Sequence, residues 1–100
     1  MTVLKILKED ELTVQIFGRL ETMTAPKLEE ELKSSLQGVK SLIMDLKDLE
    51  YISSAGLRVL FSAQKTMNKQ GRMIVRNVNE VVMEVFEVTG SVDVLTIEQD

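Results

Sequence analysis

The sequence contains neither cysteine nor histidine, and these two gaps exclude most catalytic and metal chemistry. Without cysteine there is no disulfide framework, no thiol nucleophile and no thiolate zinc site. Without histidine there is no Ser–His–Asp or Cys–His machinery, and the common imidazole metal sites go with it. A serine–lysine pair would need a lysine desolvated in a pocket, which so small a domain seldom provides. No glycine-rich phosphate loop of the GxxxxGK type is present. No apolar run approaches the roughly 18 residues of a membrane span, and no basic-then-apolar leader opens the chain. Lysine and arginine are scattered, and the net charge is −4, so no basic patch offers itself to a nucleic-acid backbone. The reading is a cytoplasmic protein that is not an enzyme and needs no metal or cofactor.

What is present suits one small globular domain. A chain of 100 residues has room for a single core, so residues 1–100 are read as one unit. Such a chain hides roughly 60–70% of its unfolded surface, enough for independent stability. Residues 2–8 and 12–18 alternate apolar and polar side chains, and the acidic break Glu9-Asp10-Glu11 between them predicts a hairpin. Lys5 and Lys8 place the first strand near a sheet edge. Thr24 is the expected N-cap of a helix that has Pro26 in its first turn and ends at Gly38. Ala25, Leu28, Leu32 and Leu36 form its apolar stripe, with Glu29 and Lys33 paired on the wet side.

Residues 41–46 read as a central strand covered on both faces, since Leu42, Ile43 and Met44 are apolar in succession. A second helix over 55–69 turns Val59, Leu60, Ala63 and Met67 to the core and Arg58, Ser62, Lys65 and Lys69 away from it. Leu57 and Phe61 lie on the shoulder between, where a side chain either closes the core or meets a partner. Met73, Ile74 and Val75 make a further strand, Asn79, with Asn77 as the alternative, caps a third helix that Gly90 stops, and 92–97 is the last strand. The predicted order is β-β-α-β-α-β-α-β, an α/β fold with helices packed on a mixed sheet.

The joint between the 41–46 strand and the second helix, read as a turn over 45–54, carries the functional signal. Ser53, Ser54, Ala55 and Gly56 let the backbone turn sharply and set hydroxyls beside the free N–H groups of a helix start. One serine could simply be capping, worth about 1 kcal/mol. Gly56 costs roughly 0.5–1 kcal/mol relative to alanine inside a helix, which calls for close approach by another helix or by an incoming protein. A phosphoryl group on Ser54 would add a charge of about −1.5 to −2 at a position that tolerates anions. The scaffold would persist while a partner that packs apolar or acidic groups there is expelled. Glu21, Asp45 and Asp48 are acidic residues for the same neighbourhood, with Asp48 expected to be a solvated turn former.

The run DLKDLEYISSAGLRVLF, with GRLETMTAPKLEEEL before it and VVMEVFEVTG after it, resembles the STAS domain of bacterial anti-sigma factor antagonists over almost the whole chain. The resemblance implies a STAS-like domain that, unphosphorylated, captures an anti-sigma factor that is itself a serine kinase. A sigma factor is thereby freed for transcription. The kinase then phosphorylates the serine at the helix start, and a serine phosphatase restores it. Carried onto this chain, the acceptor falls on Ser54, with Ser53 as the alternative because the family often has Asp there. Ala55 stands where Ser or Thr is frequent, Gly56 and Leu57 match, Glu21 replaces the usual Asp and Asp45 sits at an Asn or Asp position. The partner surface so implied comprises Glu21, Asp45, Ser53, Ala55, Gly56, Leu57, Arg58 and Phe61. The chain ends at Asp100, where familiar members carry a further helix; a sheet face left partly uncovered would favour a homo-oligomer or another partner. Two other readings are a STAS subunit of a transporter or signalling assembly that docks without phosphorylation, and a small hydrolase using Ser53 or Ser54.

Overall fold

The structure is a computed structural model describing residues 1–98; the end of the chain at Asp100 lies outside the described residues. Strand β1 (Thr2–Lys8) turns through Glu9 and Asp10 into β2 (Glu11–Leu20), and the two pair antiparallel from Lys8↔Glu11 to Thr2↔Phe17. The turn has only two residues and no glycine, so Glu9 itself takes a left-handed φ of 59°. Asp10 repays this by accepting hydrogen bonds from the backbone N–H groups of Lys40 and Ser41, which fixes the hairpin against the start of β3.

Helix α1 (Ala25–Ser35) follows with Thr24 at its N-cap and Pro26 in the first turn, as the sequence predicts. The Thr24 hydroxyl, however, does not cap the helix. It donates to the Arg19 carbonyl at 2.9 Å and accepts from the Glu21 N–H at 2.9 Å, closing the 21–24 turn on itself. Strand β3 (Ser41–Asp45) runs parallel to β2, between β2 and β5 (Arg72–Arg76). Helix α2 (Ser54–Gln70), helix α3 (Glu80–Thr89) and a short β6 (Ile97–Glu98) complete the order, giving a sheet β1-β2-β3-β5-β6.

Three expectations need correction. Residues 45–54 are not one long turn: after Leu46, Lys47 and Asp48 the chain resumes as β4 (Leu49–Ile52), parallel to the last residues of β2. The ten-residue β2 is long enough to pair with β3 along its first half and β4 along its second, with a register shift at Gly18/Arg19 where Gly18 takes φ +92°. The predicted strand 92–97 is mostly a 3-10 turn (Ser91–Asp93), with sheet pairing only at Ile97 and Glu98. Lastly, β3 is central but not covered on both faces.

The reason is topological. From β2 to β3, β5 and β6 the chain always steps the same way across the sheet, and right-handed crossovers then put every helix on one side. Val14, Ile16, Leu42, Met44, Met73 and Val75 meet Leu28, Leu60, Val82 and Phe86 in a single core. Ile43, on the other face, is buried but stands outside that core, sheltered by its sheet neighbours Thr13 and Ile74.

Candidate functional site

Leu20, at the end of β2, accepts a hydrogen bond from the Ser53 N–H at 3.0 Å, and this bond anchors the start of α2 beside the 21–24 turn. Ser53 is the N-cap in extended conformation, and its carbonyl accepts the first helical bond, from Leu57 N–H at 3.0 Å. Neither serine caps the helix with its side chain. The Ser53 hydroxyl oxygen is sealed from solvent without a hydrogen-bond partner, whereas Ser54, the first helical residue, is exposed. The two hydroxyls differ because Ser53 is still extended and aligned with β4, while the first helical turn rotates Ser54 outward.

Gly56 is buried, and what it meets is internal. A Cβ there would lie 2.8 Å from Ile52 Cγ1, 2.8 Å from Leu20 Cγ and 2.9 Å from the Leu20 carbonyl oxygen. The bare backbone is thus required by the ends of β2 and β4, not by another helix or an arriving protein. Leu57 is also buried, 4% exposed, and closes the core instead of facing a partner. Phe61 is half-buried and packs on the same core.

Of the acidic candidates, only Glu21 reaches the joint. It directly follows Leu20, and its carbonyl accepts from Thr24 and Ala25 at 3.1 and 2.8 Å, starting α1. Its half-buried carboxylate has no hydrogen bond or ion pair among the described residues, and the same holds for the exposed Arg58 guanidinium one turn after Ser54. Asp45 lies elsewhere. It stands opposite Gln15, five residues back along β2 from Leu20, or roughly 16 Å at the usual strand rise. There its carboxylate accepts from Lys47 N–H at 3.0 Å and Asn77 Nδ2 at 3.2 Å, holding the β3–β4 turn to the end of β5. Asp48 accepts from Gln15 Nε2 at 2.8 Å, the turn role expected of it.

The residue the sequence reading passed over is Met23, 84% exposed in the 21–24 turn, three positions after the Leu20 that holds Ser53. A large apolar side chain in a polar connector (Glu-Thr-Met-Thr) was the available signal. From this turn an open groove runs between α1 and α2, with Thr22, Pro26, Glu29 and Lys33 on one side and Ala55 and Arg58 on the other. The joint therefore presents the exposed Ser54 and Thr22, one free carboxylate, one free guanidinium and one exposed apolar side chain on one rim. Among the described residues no group of acidic side chains could hold a metal ion, and no helix is long and apolar enough to cross a membrane.

Comparison with known proteins gives a consistent result. The family model of the STAS domain matches residues 3–100. The anti-sigma-B factor antagonist of Bacillus subtilis (strain 168) is 32% identical over 90 residues, covering 89% of this chain and 83% of that protein. Among solved structures, an anti-sigma factor antagonist from Mycobacterium paratuberculosis superposes with a TM-score of 0.87 at 22% identity, over 96% of this chain and 83% of that one. The Bacillus cell fate determinant SpoIIAA, solved in its phosphorylated form, gives a TM-score of 0.75 at 15% identity, over 97% and 91%. These relatives are named as regulators and not as enzymes.

Proposed function

This chain belongs to the STAS domain family, and from that premise we propose that it is an anti-sigma factor antagonist switched at Ser54. Unphosphorylated, it binds an anti-sigma factor serine kinase in the cytoplasm through the rim formed by the 21–24 turn and the first turn of α2. Phosphorylation of Ser54 by that kinase ends the interaction, and a serine phosphatase renews it, so transcription is regulated by the state of one hydroxyl. The observation that carries this reading is the contrast between the exposed Ser54 and the sealed Ser53 oxygen. A kinase must reach the oxygen it modifies.

The physical argument for switching is local. Phosphate brings about −1.5 to −2 charges to a position where helical N–H groups lack intrahelical partners, so α2 is not penalised. The same charge falls beside the unpaired Glu21 carboxylate and the exposed Met23, and any partner that packs on this rim must now desolvate a dianion. Ser53, Ala55, Arg58 and Phe61 complete the proposed contact surface. Gly56 and Leu57 serve it from beneath by fixing the angle of the helix.

Phosphosite mapping with the host kinase tests the assignment. Ser54→Ala is expected to abolish phosphate incorporation and Ser53→Ala to leave it unchanged, while Ser54→Asp weakens binding of the kinase at least tenfold, ~1.4 kcal/mol. Undiminished incorporation into Ser54→Ala would refute the site. Equal affinity of Ser54→Asp and the parent would count against charge as the cause.

A further inference from the structure

Three of the exposed large apolar side chains belong to one edge strand: Leu4 (47%), Ile6 (56%) and Leu7 (64%) of β1. β1 ends the sheet, pairs with β2 on one side only, and carries no proline or register break over its seven residues. An exposed, regular, apolar edge offers unpaired backbone groups to another strand. Its two lysines would ordinarily blunt it, but Lys5 is already engaged within the chain, and only Lys8, at the hairpin end, has no hydrogen bond or ion pair among the described residues. Lys5 Nζ donates to the Ser35 hydroxyl at 3.1 Å and lies 4.0 Å from the Glu31 carboxylate on α1, and Lys8 stands opposite Glu11.

The geometry points to a second copy of this chain as the occupant, paired antiparallel through β1 about a two-fold axis at Ile6. In that register Ile6 faces Ile6, Lys5 faces Leu7 and Leu4 faces Lys8, so no two charges of like sign stand directly opposite. The Lys5 stem covers Leu7, the most exposed apolar residue of the strand, and Glu9 of each copy comes opposite Val3 of the other, diagonal to Lys5, as the two Lys5 side chains are to one another. Centring the axis on Lys5 instead would set two ammonium groups face to face.

The sheet face argues for the same arrangement. Ile6, Thr13, Ile43 and Ile74 are aligned across β1, β2, β3 and β5, forming one row on the side without helices. Pairing at Ile6 joins two such rows end to end. The contact is isologous and consumes the edge on both copies, so it closes at two chains. Ile6 stands opposite Thr13, seven residues along β2 from the Leu20 that anchors Ser53, roughly 23 Å away at the usual strand rise. The dimer therefore leaves Ser54 open and does not depend on its phosphorylation.

The absence of native cysteine makes the test clean. Directly opposed residues of an antiparallel pair have Cα atoms about 4.5–5.5 Å apart, within disulfide range. Under mild oxidation, Ile6→Cys is expected to form a covalent dimer, while Leu4→Cys, Lys5→Cys and Leu7→Cys remain largely uncrosslinked. Sedimentation of the parent should show mass rising from one chain toward two with concentration, and Ile6→Lys should abolish that rise. A parent that stays monomeric at every concentration would overturn the proposal and leave the edge to a strand of another protein. Cross-linking that is equal at all four positions, or confined to Leu4→Cys, would overturn it as well.

Discussion

Gly56 sits where a helix begins against two strand ends, and one methyl group is too much for the space. Alanine would gain up to about 1 kcal/mol of helix propensity there. It would also press on the Leu20 carbonyl, which is backbone and already holds the Ser53 N–H. Overpacking of this kind costs about 1–3 kcal/mol. Gly56→Ala is therefore expected to lower stability by roughly 1–2 kcal/mol in urea denaturation, and to weaken partner binding by tilting α2. An unchanged or raised midpoint would show that Leu20 can yield. The glycine itself was legible as an anomaly in the sequence. Its neighbour Leu20 was not, because it comes from β2, more than thirty positions away along the chain.

At the scale of elements, α3 shows a signal that the sequence states fully. Asn79 accepts from Val82 N–H at 2.9 Å, the N-cap bond its position predicts, and Gly90 ends the helix in the left-handed conformation at φ 75°. The other end of the same amide could not be read from sequence: Asn79 Nδ2 donates to the Leu49 carbonyl at 2.5 Å and ties α3 to β4. Losing a cap costs about 1 kcal/mol, and a buried carbonyl deprived of a donor about as much again. Asn79→Ala should thus destabilise by roughly 2 kcal/mol, with Asn79→Ser intermediate because serine caps but does not span to β4. Equal losses for the two variants would mean that the Leu49 bond contributes nothing. β4 itself escaped the sequence reading because Leu49–Ile52 is only four residues long, and its pairing with β2 depends on a register shift at Gly18.

The whole molecule is a sheet covered by helices on one side, and adjacent residues of β3 report the difference. Met44 is wholly buried beneath the helices, while Ile43 is shielded only by neighbours in its own sheet layer. A glutamine at position 43 can reach water past those neighbours; at position 44 its amide would be trapped without partners. Met44→Gln is expected to cost roughly 2 kcal/mol more than Ile43→Gln, measured as a difference in unfolding free energy. Equal penalties would imply a cover over the open face. Three successive apolar residues suggested burial on both sides, and the order of the strands overruled that reading.

Periodicities of two and 3.6, with a serine pair and a glycine at the strand-to-helix joint, were sufficient to locate the helices, most of the strands and the joint itself. Each of those signals is carried by residues within a turn or two of one another. Only the tertiary structure decided which serine hydroxyl meets solvent, what Gly56 abuts, and that Glu21 but not Asp45 borders the joint. Those outcomes hang on the register of β2 against β3 and β4, a pairing between distant segments that a local pattern cannot encode.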